Sequence, residues 1–207
     1  MRSFDRSYGT HKYILPLVLD APDYKLRASI ANMYTYLDDF MNTLVLELSR
    51  IDETNLKMEK VANQSVKNFD DRLLFVYLWA DYYFFLNTVE RTYRLVINLY
   101  NHLSENDKAQ KIRNCKVFND VRRIRNRIEH LYEDVSKGTG EEFYAQHRSM
   151  GAENEITIGD ITFAANENAL YLLYQIYDDI SNIIEEKYIN PNKDVVDRIW
   201  KAHCDNM

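Results

Sequence analysis

From Leu26 to Leu48 the apolar residues of this chain recur at steps of three and four, and the same period returns in three later blocks. A period near 3.6 is that of a helix with one buried stripe, and it is incompatible with the two-residue alternation of a half-buried strand. Breaks in the pattern are rare, because the 207 residues contain only 5 Gly and 3 Pro. So few punctuating residues argue against an all-β or loop-rich protein. The sequence therefore predicts an all-α fold.

In chain order, residues 1–23 hold a short apolar run, Tyr13 to Leu19, interrupted by Pro16. Pro16 removes a donor and biases Leu15 away from helix, so this reads as an extended N-terminal arm. Leu26, Ile30, Met33, Leu37, Phe40 or Met41, Leu44 and Leu48 then mark a helix near 24–51. Residues 52–69 are weakly periodic and fit a short helix or a long loop. The block 70–103 is apolar nearly all round from Leu73 to Leu86, which predicts a central helix or one covered on its second side by a partner chain. Ser104 with Asp107 resembles a capping box and starts a helix that runs to about Ser136, where Gly138 lies past its end.

Residues 139–153 show no readable pattern. Glu155 to Phe163 alternates about Gly159-Asp160, and with the flanking residues 154–164 it predicts a β-hairpin with a type II′ turn. Asn166 or Asn168 caps the next helix, which Pro191 ends, and Asp194–Ala202 makes a short last helix with Val195, Ile199 and Trp200 inward. The expectation is a single domain over 1–207, an up-and-down helical bundle of four to five helices with a small β-hairpin inserted before the penultimate helix. Met1 to Thr10 has no apolar run and no stretch reaches 18 apolar residues, so neither a signal peptide nor a membrane span is expected and the setting is cytoplasmic.

The chemistry concentrates in Arg122-Arg123-Ile124-Arg125-Asn126-Arg127-Ile128-Glu129-His130-Leu131-Tyr132. On a helix, Val117, Val121, Ile124, Ile128, Leu131 and Val135 form one stripe. Asn126 and His130 lie about 160 degrees from Ile128, on the far side, while Arg122 and Glu129 lie at about 100 to 140 degrees and Arg125 and Tyr132 at about 40 to 60 degrees. His130 is therefore off the apolar face, where a core histidine would sit.

Arg125, His130 and Tyr132 give the spacing R-x4-H-x-Y, with Asn126 directly after the Arg. This resembles the HEPN superfamily, whose members carry R-x(4–6)-H on a helix of an all-α bundle, and looks most like its HepT toxin branch. The resemblance covers eight residues. It implies a metal-independent endoribonuclease acting as a homodimer with a composite site, a toxin or defence effector, with a nucleotidyltransferase antitoxin as a partner that modifies the motif tyrosine, here Tyr132. HepT-like proteins are usually shorter than this chain, and the hairpin region has no match in that pattern. Some members of the superfamily do not cleave and serve as binding modules, so a non-catalytic dimeric interaction module is the alternative.

The residue types suit RNA cleavage on their own terms. A ribonucleotide carries its nucleophile, the 2′-hydroxyl, beside the scissile phosphate. Histidine exchanges protons near neutral pH, which suits His130 to general acid–base work. A guanidinium presents a charged planar fork to phosphate oxygens, which suits Arg125 to stabilising the transition state. Asn126, Arg122, Arg127, Glu129 and Tyr132 are candidate supporting or RNA-binding residues, and Tyr132 is equally a phenol at the core edge. Arg125 and His130 diverge by about 140 degrees on one helix, so a shared cleft needs two copies about a two-fold axis.

From Lys108 to Arg127 there are eight Lys and Arg against one Asp, a local balance of +7 in a chain whose total is −6. A positive field on an acidic protein suits phosphate binding, and a solvated face balanced by acidic neighbours is the bland alternative. RNA is the expected nucleic acid, not DNA. No His/Cys/carboxylate cluster has ligand spacing, and Glu129-His130 alone is not one, so no metal or cofactor is expected. His102, His147, His203 and Cys204 read as surface or incidental residues. Asp38-Asp39 and Asp178-Asp179 read as solvated pairs whose members diverge by about 100 degrees. Cys115 and Cys204 form no disulfide framework.

Overall fold

A computed structural model describes residues 24–62, 69–136, 148–150 and 154–204. The expected N-terminal arm lies outside them. Helix α1 spans Tyr24–Ala62 and α2 spans Phe69–His102. Neither contains Gly or Pro, so nothing stops either helix at the point where its apolar pattern weakens. Residues 52–62 accordingly continue α1. Ile30, Tyr34, Leu37, Met41, Leu44, Leu48 and Ile51 are all buried to 1% exposure or less. They alternate steps of four and three, the spacing of a long straight seam between packed helices.

On α2 the matching seam is Leu78, Tyr82, Phe85, Val89, Val96 and Leu99. Contacts pair Glu47 with Thr88 and Arg50 with Asp81, so position rises along α1 as it falls along α2. The two helices are an antiparallel pair, and they form the largest interface of the molecule.

Helix α2 ends in a Schellman closure. Glu105 N donates to Tyr100 O at 2.8 Å and Ser104 N to Asn101 O at 3.1 Å, with Ser104 in the left-handed region at φ 62°. Ser104 therefore closes the preceding helix and does not cap the next one, which starts after Glu105 without a side-chain cap. Lys187 Nζ adds a 2.8 Å bond to the Leu103 carbonyl and a 2.6 Å ion pair to Glu105.

The helix predicted from Ser104 to Ser136 is two, α3 (Asn106–Arg113) and α4 (Lys116–Ser136). Asn114 and Cys115 separate them, with Cys115 N bonded three residues back to Ile112 O. This tightened turn breaks the ladder and lets α4 start afresh.

The predicted hairpin is present as β2 (Glu155–Ile158) and β3 (Ile161–Ala164), with Ile158 opposite Ile161 around Gly159-Asp160. Gly159 has φ +66° and Asp160 is not in the left-handed region, as a type II′ turn requires. A further strand, β1 (Arg148–Met150), pairs antiparallel with β2 and makes a three-stranded meander. Its three residues carry no alternation that a sequence reading could use. Ile156, Ile158, Ile161 and Phe163 face the helices, and Phe163 packs its ring 6.3 Å from Phe85.

Helix α5 spans Glu167–Ile184 and is capped by Asn166, whose side chain accepts from Asn168 N at 3.0 Å. Its α-helical turns end ahead of Pro191, as expected. It widens into a π turn over Glu185–Ile189, tightens over Asn190–Asn192, and leads into α6 (Lys193–Cys204). On α6 Val195, expected inward, is exposed, and Val196 packs toward the core in its place. The side chains of Ile199 and Trp200 lie outside the described residues. The molecule is an all-α bundle with one small sheet laid against it.

Candidate functional site

Helix α4 turns Phe118, Val121, Ile124 and Ile128 into the core, with Phe118 taking the place expected of Val117, which is exposed. Arg125, one step round from Ile124, points toward α2 with only 20% of its side chain exposed. Its two terminal nitrogens are held between two carboxylates, Nη1 by Glu90 Oε2 and Nη2 by Glu129 Oε2. Glu90 lies on α2, buried to 8% exposure, and its other oxygen accepts from Arg94 Nε at 3.0 Å. At the outer end Tyr83 donates to Glu129 Oε1 at 3.4 Å. The result is an alternating chain, Arg94–Glu90–Arg125–Glu129–Tyr83, that stitches α4 to α2.

The charges tune one another. Burial pushes the Glu90 carboxyl up, but hydrogen bonds and charge from Arg125 and Arg94 outweigh it and hold the carboxyl below its ordinary range. The Arg125 hydrogen bond likewise lowers Glu129. Hydrogen bonds from Glu129 and Glu90 raise Arg125, which stays charged at any working pH. One polar atom is left over: Arg125 Nε is buried and has no hydrogen-bond partner. A buried donor without a partner costs of the order of 1–3 kcal/mol.

Beside Arg125 the α2–α4 crevice opens into a cleft of about 380 Å³ lined by Phe84, Asn87 and Thr88, with the exposed Arg91 and Arg94 on its rim. It meets a second cleft of about 390 Å³ through the shared Glu90 and Arg94. There Arg113 and Arg122 stand over Ile97, Ile112 and Phe118.

His130 is exposed and lines neither cleft. Within one chain the structure therefore does not bring Arg125 and His130 together, in keeping with their angular separation on the helix. Asn126 is half-buried. Arg127 is committed elsewhere: Nη1 donates to Ile158 O and Nη2 pairs with Asp160 Oδ1, each at 2.7 Å. It clamps the hairpin turn, and its hydrogen bond lowers the exposed Asp160 carboxyl. An RNA-facing Arg127 would have to abandon both contacts. The backbone of Tyr132 is part of α4, and its side chain lies outside the described residues.

The basic run is more balanced than its sequence suggests. Lys108 pairs with Asp179, Lys116 with Asp120, and Arg123 with Asp120 and Asp160, besides Arg125 and Arg127. Lys111, Arg113 and Arg122 have no carboxylate partner among the described residues, and the two arginines face the crevice. The two aspartate pairs are partly structural. Asp38 accepts from Tyr177 OH at 3.1 Å, and Asp179 accepts from Tyr100 OH at 2.8 Å as well as from Lys108.

Sequence reasoning missed Glu90, Arg91 and Arg94. Their signal was available: they are the only Asp, Glu, Lys or Arg between Asp81 and Glu105. Among the described residues no group of three or more His, Cys, Asp or Glu is placed to hold a metal ion. Comparison with protein-family models, with curated proteins and with solved structures finds no match for this chain.

Proposed function

We propose that this chain is an endoribonuclease that cleaves RNA without a metal, and that its site is completed by a second copy. The observation that carries the reading is the arginine crevice on the motif helix. Arg125, rigidly held, opens onto a cleft rimmed by Arg91 and Arg94, while His130 stands exposed on the same helix. The R-x4-H-x-Y resemblance to HEPN proteins supplies the reaction class.

In the reaction, a base withdraws the 2′-hydroxyl proton and the 2′-oxygen attacks phosphorus. The 5′-oxygen leaves with a proton from an acid, giving a 2′,3′-cyclic phosphate and a 5′-hydroxyl. His130 is the proton-exchanging group. Arg125 meets the charge that develops on the phosphate oxygens. Because Glu129 is the more exposed of its two partners, it is the arm that yields when a phosphate arrives, while Glu90 keeps the fork in place. Pairing two copies supports convergence of Arg125 from one with His130 of the other. Val76, Tyr77 and Phe84 on α2, each more than half exposed, offer an apolar surface beside the crevice for that pairing. A nucleotidyltransferase antitoxin acting on Tyr132 belongs to the same proposal.

The test is cleavage of a labelled RNA pool in EDTA by the wild type and by His130→Ala. His130 is exposed, so the variant keeps its fold. Cutting with cyclic-phosphate ends, lowered at least about 100-fold in the variant, is expected. No cutting by either protein would favour the second reading, a non-catalytic interaction module docking through Val76, Tyr77 and Phe84.

A further inference from the structure

The second cleft of the α2–α4 crevice has a chemistry of its own. Its half-buried floor is Ile97 and Ile112 with the edge of Phe118, and its rim carries Arg113 and Arg122. Both arginines are exposed and have no carboxylate partner among the described residues; Arg113 makes one 3.3 Å bond to Gln110. The only carboxylate in the cleft, Glu90, has both oxygens taken, by Arg94 and by Arg125. A cationic ligand would find no open counter-charge there. An anionic group attached to a flat apolar one finds both of its partners. The volume of about 390 Å³ lies in the range of small-ligand sites.

The cleft adjoins the one beside Arg125, the ion-paired Glu90 and Arg94 lining both. From Glu129 to Asn119 the crevice follows ten residues of α4, about 15 Å of helix, enough for a few nucleotides of extended strand. We propose that the second cleft is a nucleotide subsite for single-stranded RNA, with Arg113 and Arg122 on a phosphate and one unstacked base against Ile97, Ile112 and Phe118. The reading of Arg125 and His130 as a ribonuclease site underlies the choice of RNA. The subsite requires a single strand, because a base held in a duplex presents only its edge. It lies away from His130, so it governs where a strand sits and not the proton transfers.

The experiment measures binding, independently of cutting. A fluorescent six-nucleotide 2′-O-methyl RNA, which has no free 2′-hydroxyl to attack, is titrated with wild-type protein and with Arg113→Gln/Arg122→Gln, both checked for fold by circular dichroism. The double variant should bind about tenfold or more weakly, and its log–log salt slope should fall by about 0.7, the one phosphate that the two arginines share. Removing one base from the oligomer should weaken wild-type binding about tenfold at one position, and a blunt duplex should bind less tightly than the strand.

Unchanged binding by the double variant, or equal binding of the intact and abasic oligomers, would overturn the subsite. So would displacement of the strand by adenosine monophosphate at concentrations no higher than those of unlabelled strand. Arginine-dependent binding by a protein that never cuts natural RNA would keep the subsite and sink the ribonuclease. Cutting that is lost in His130→Ala but unaffected, together with binding, in the double variant would do the reverse.

Discussion

At the scale of single residues, the arrangement of carboxylates around Arg125 is asymmetric, and it decides which substitutions are informative. Glu90 is buried, whereas Glu129 has 36% of its side chain exposed. Removing Glu90 leaves Arg125 buried with half of its compensation gone, so Glu90→Ala should cost about 3 kcal/mol in denaturant unfolding. Glu129→Ala should cost below about 1 kcal/mol, since water screens that pair. Equal losses would contradict the asymmetry. The same reasoning makes Arg125→Ala a poor probe of chemistry, because it strands a buried carboxylate. Glu47 is a second buried acid, on α1, with Oε2 unpartnered and Oε1 accepting from Thr88 at 3.1 Å. Burial pushes its carboxyl up to about 7, against the lowering effects of Thr88 and Arg50. The folded state thus holds this proton more tightly than the unfolded chain. The corresponding stability is fully present below about pH 4.5 and is lost as pH rises through about 7. Glu47→Gln should remove that loss and stabilise the protein at pH 8 by roughly 2 kcal/mol relative to wild type. A wild-type difference between pH 5 and pH 8 that survives in the variant would assign it to other groups.

At the scale of elements, two backbone positions carry specific geometry. Gly159 sits at φ +66°, and a Cβ there would run into the Arg127 guanidinium that clamps the turn. Gly159→Ala should therefore cost about 1–2 kcal/mol by melting temperature, while Ser104→Gly, at φ 62° in the closure of α2, should be neutral or mildly stabilising. Destabilisation by the glycine would mean that the Ser104 side chain does something the closure does not require. These positions also show what the sequence discloses. The hairpin was legible because Gly159-Asp160 sits between strictly alternating segments, and the helices because their stripes are regular. The split at Asn114-Cys115 was not, since the apolar period runs through it without a break. Ser104 was misread because the same Ser can cap a helix or close one, and the choice rests on a φ angle. Of the candidate site, the motif helix was legible. Glu90, Arg91 and Arg94 stand out in the sequence as isolated charges, but their pairing with the motif helix was not legible, because which face of α2 meets α4 is set by packing between helices some 35 residues apart.

At the scale of the whole molecule, Arg125 and His130 leave α4 in directions about 140 degrees apart, and under the proposed ribonuclease reading this makes the number of chains part of the mechanism. If each site takes Arg125 from one copy and His130 from the other, two inactive proteins can repair each other. A mixed dimer of His130→Ala with Arg125→Gln/Glu90→Gln has one site carrying both defects and one carrying none. The second variant removes the buried acid together with its base, so neither is left stranded. Random exchange makes half of the dimers mixed, each with one of two sites intact. Mixing the two variants should thus restore about a quarter of wild-type cleavage in an isologous dimer. The recovery should rise with protein concentration and vanish when Tyr77→Glu is introduced into both chains, because that charge would face the apolar surface of α2. No recovery from variants that do exchange subunits would overturn the composite site. The helix geometry would then require Arg125 to act on the crevice and His130 on something else.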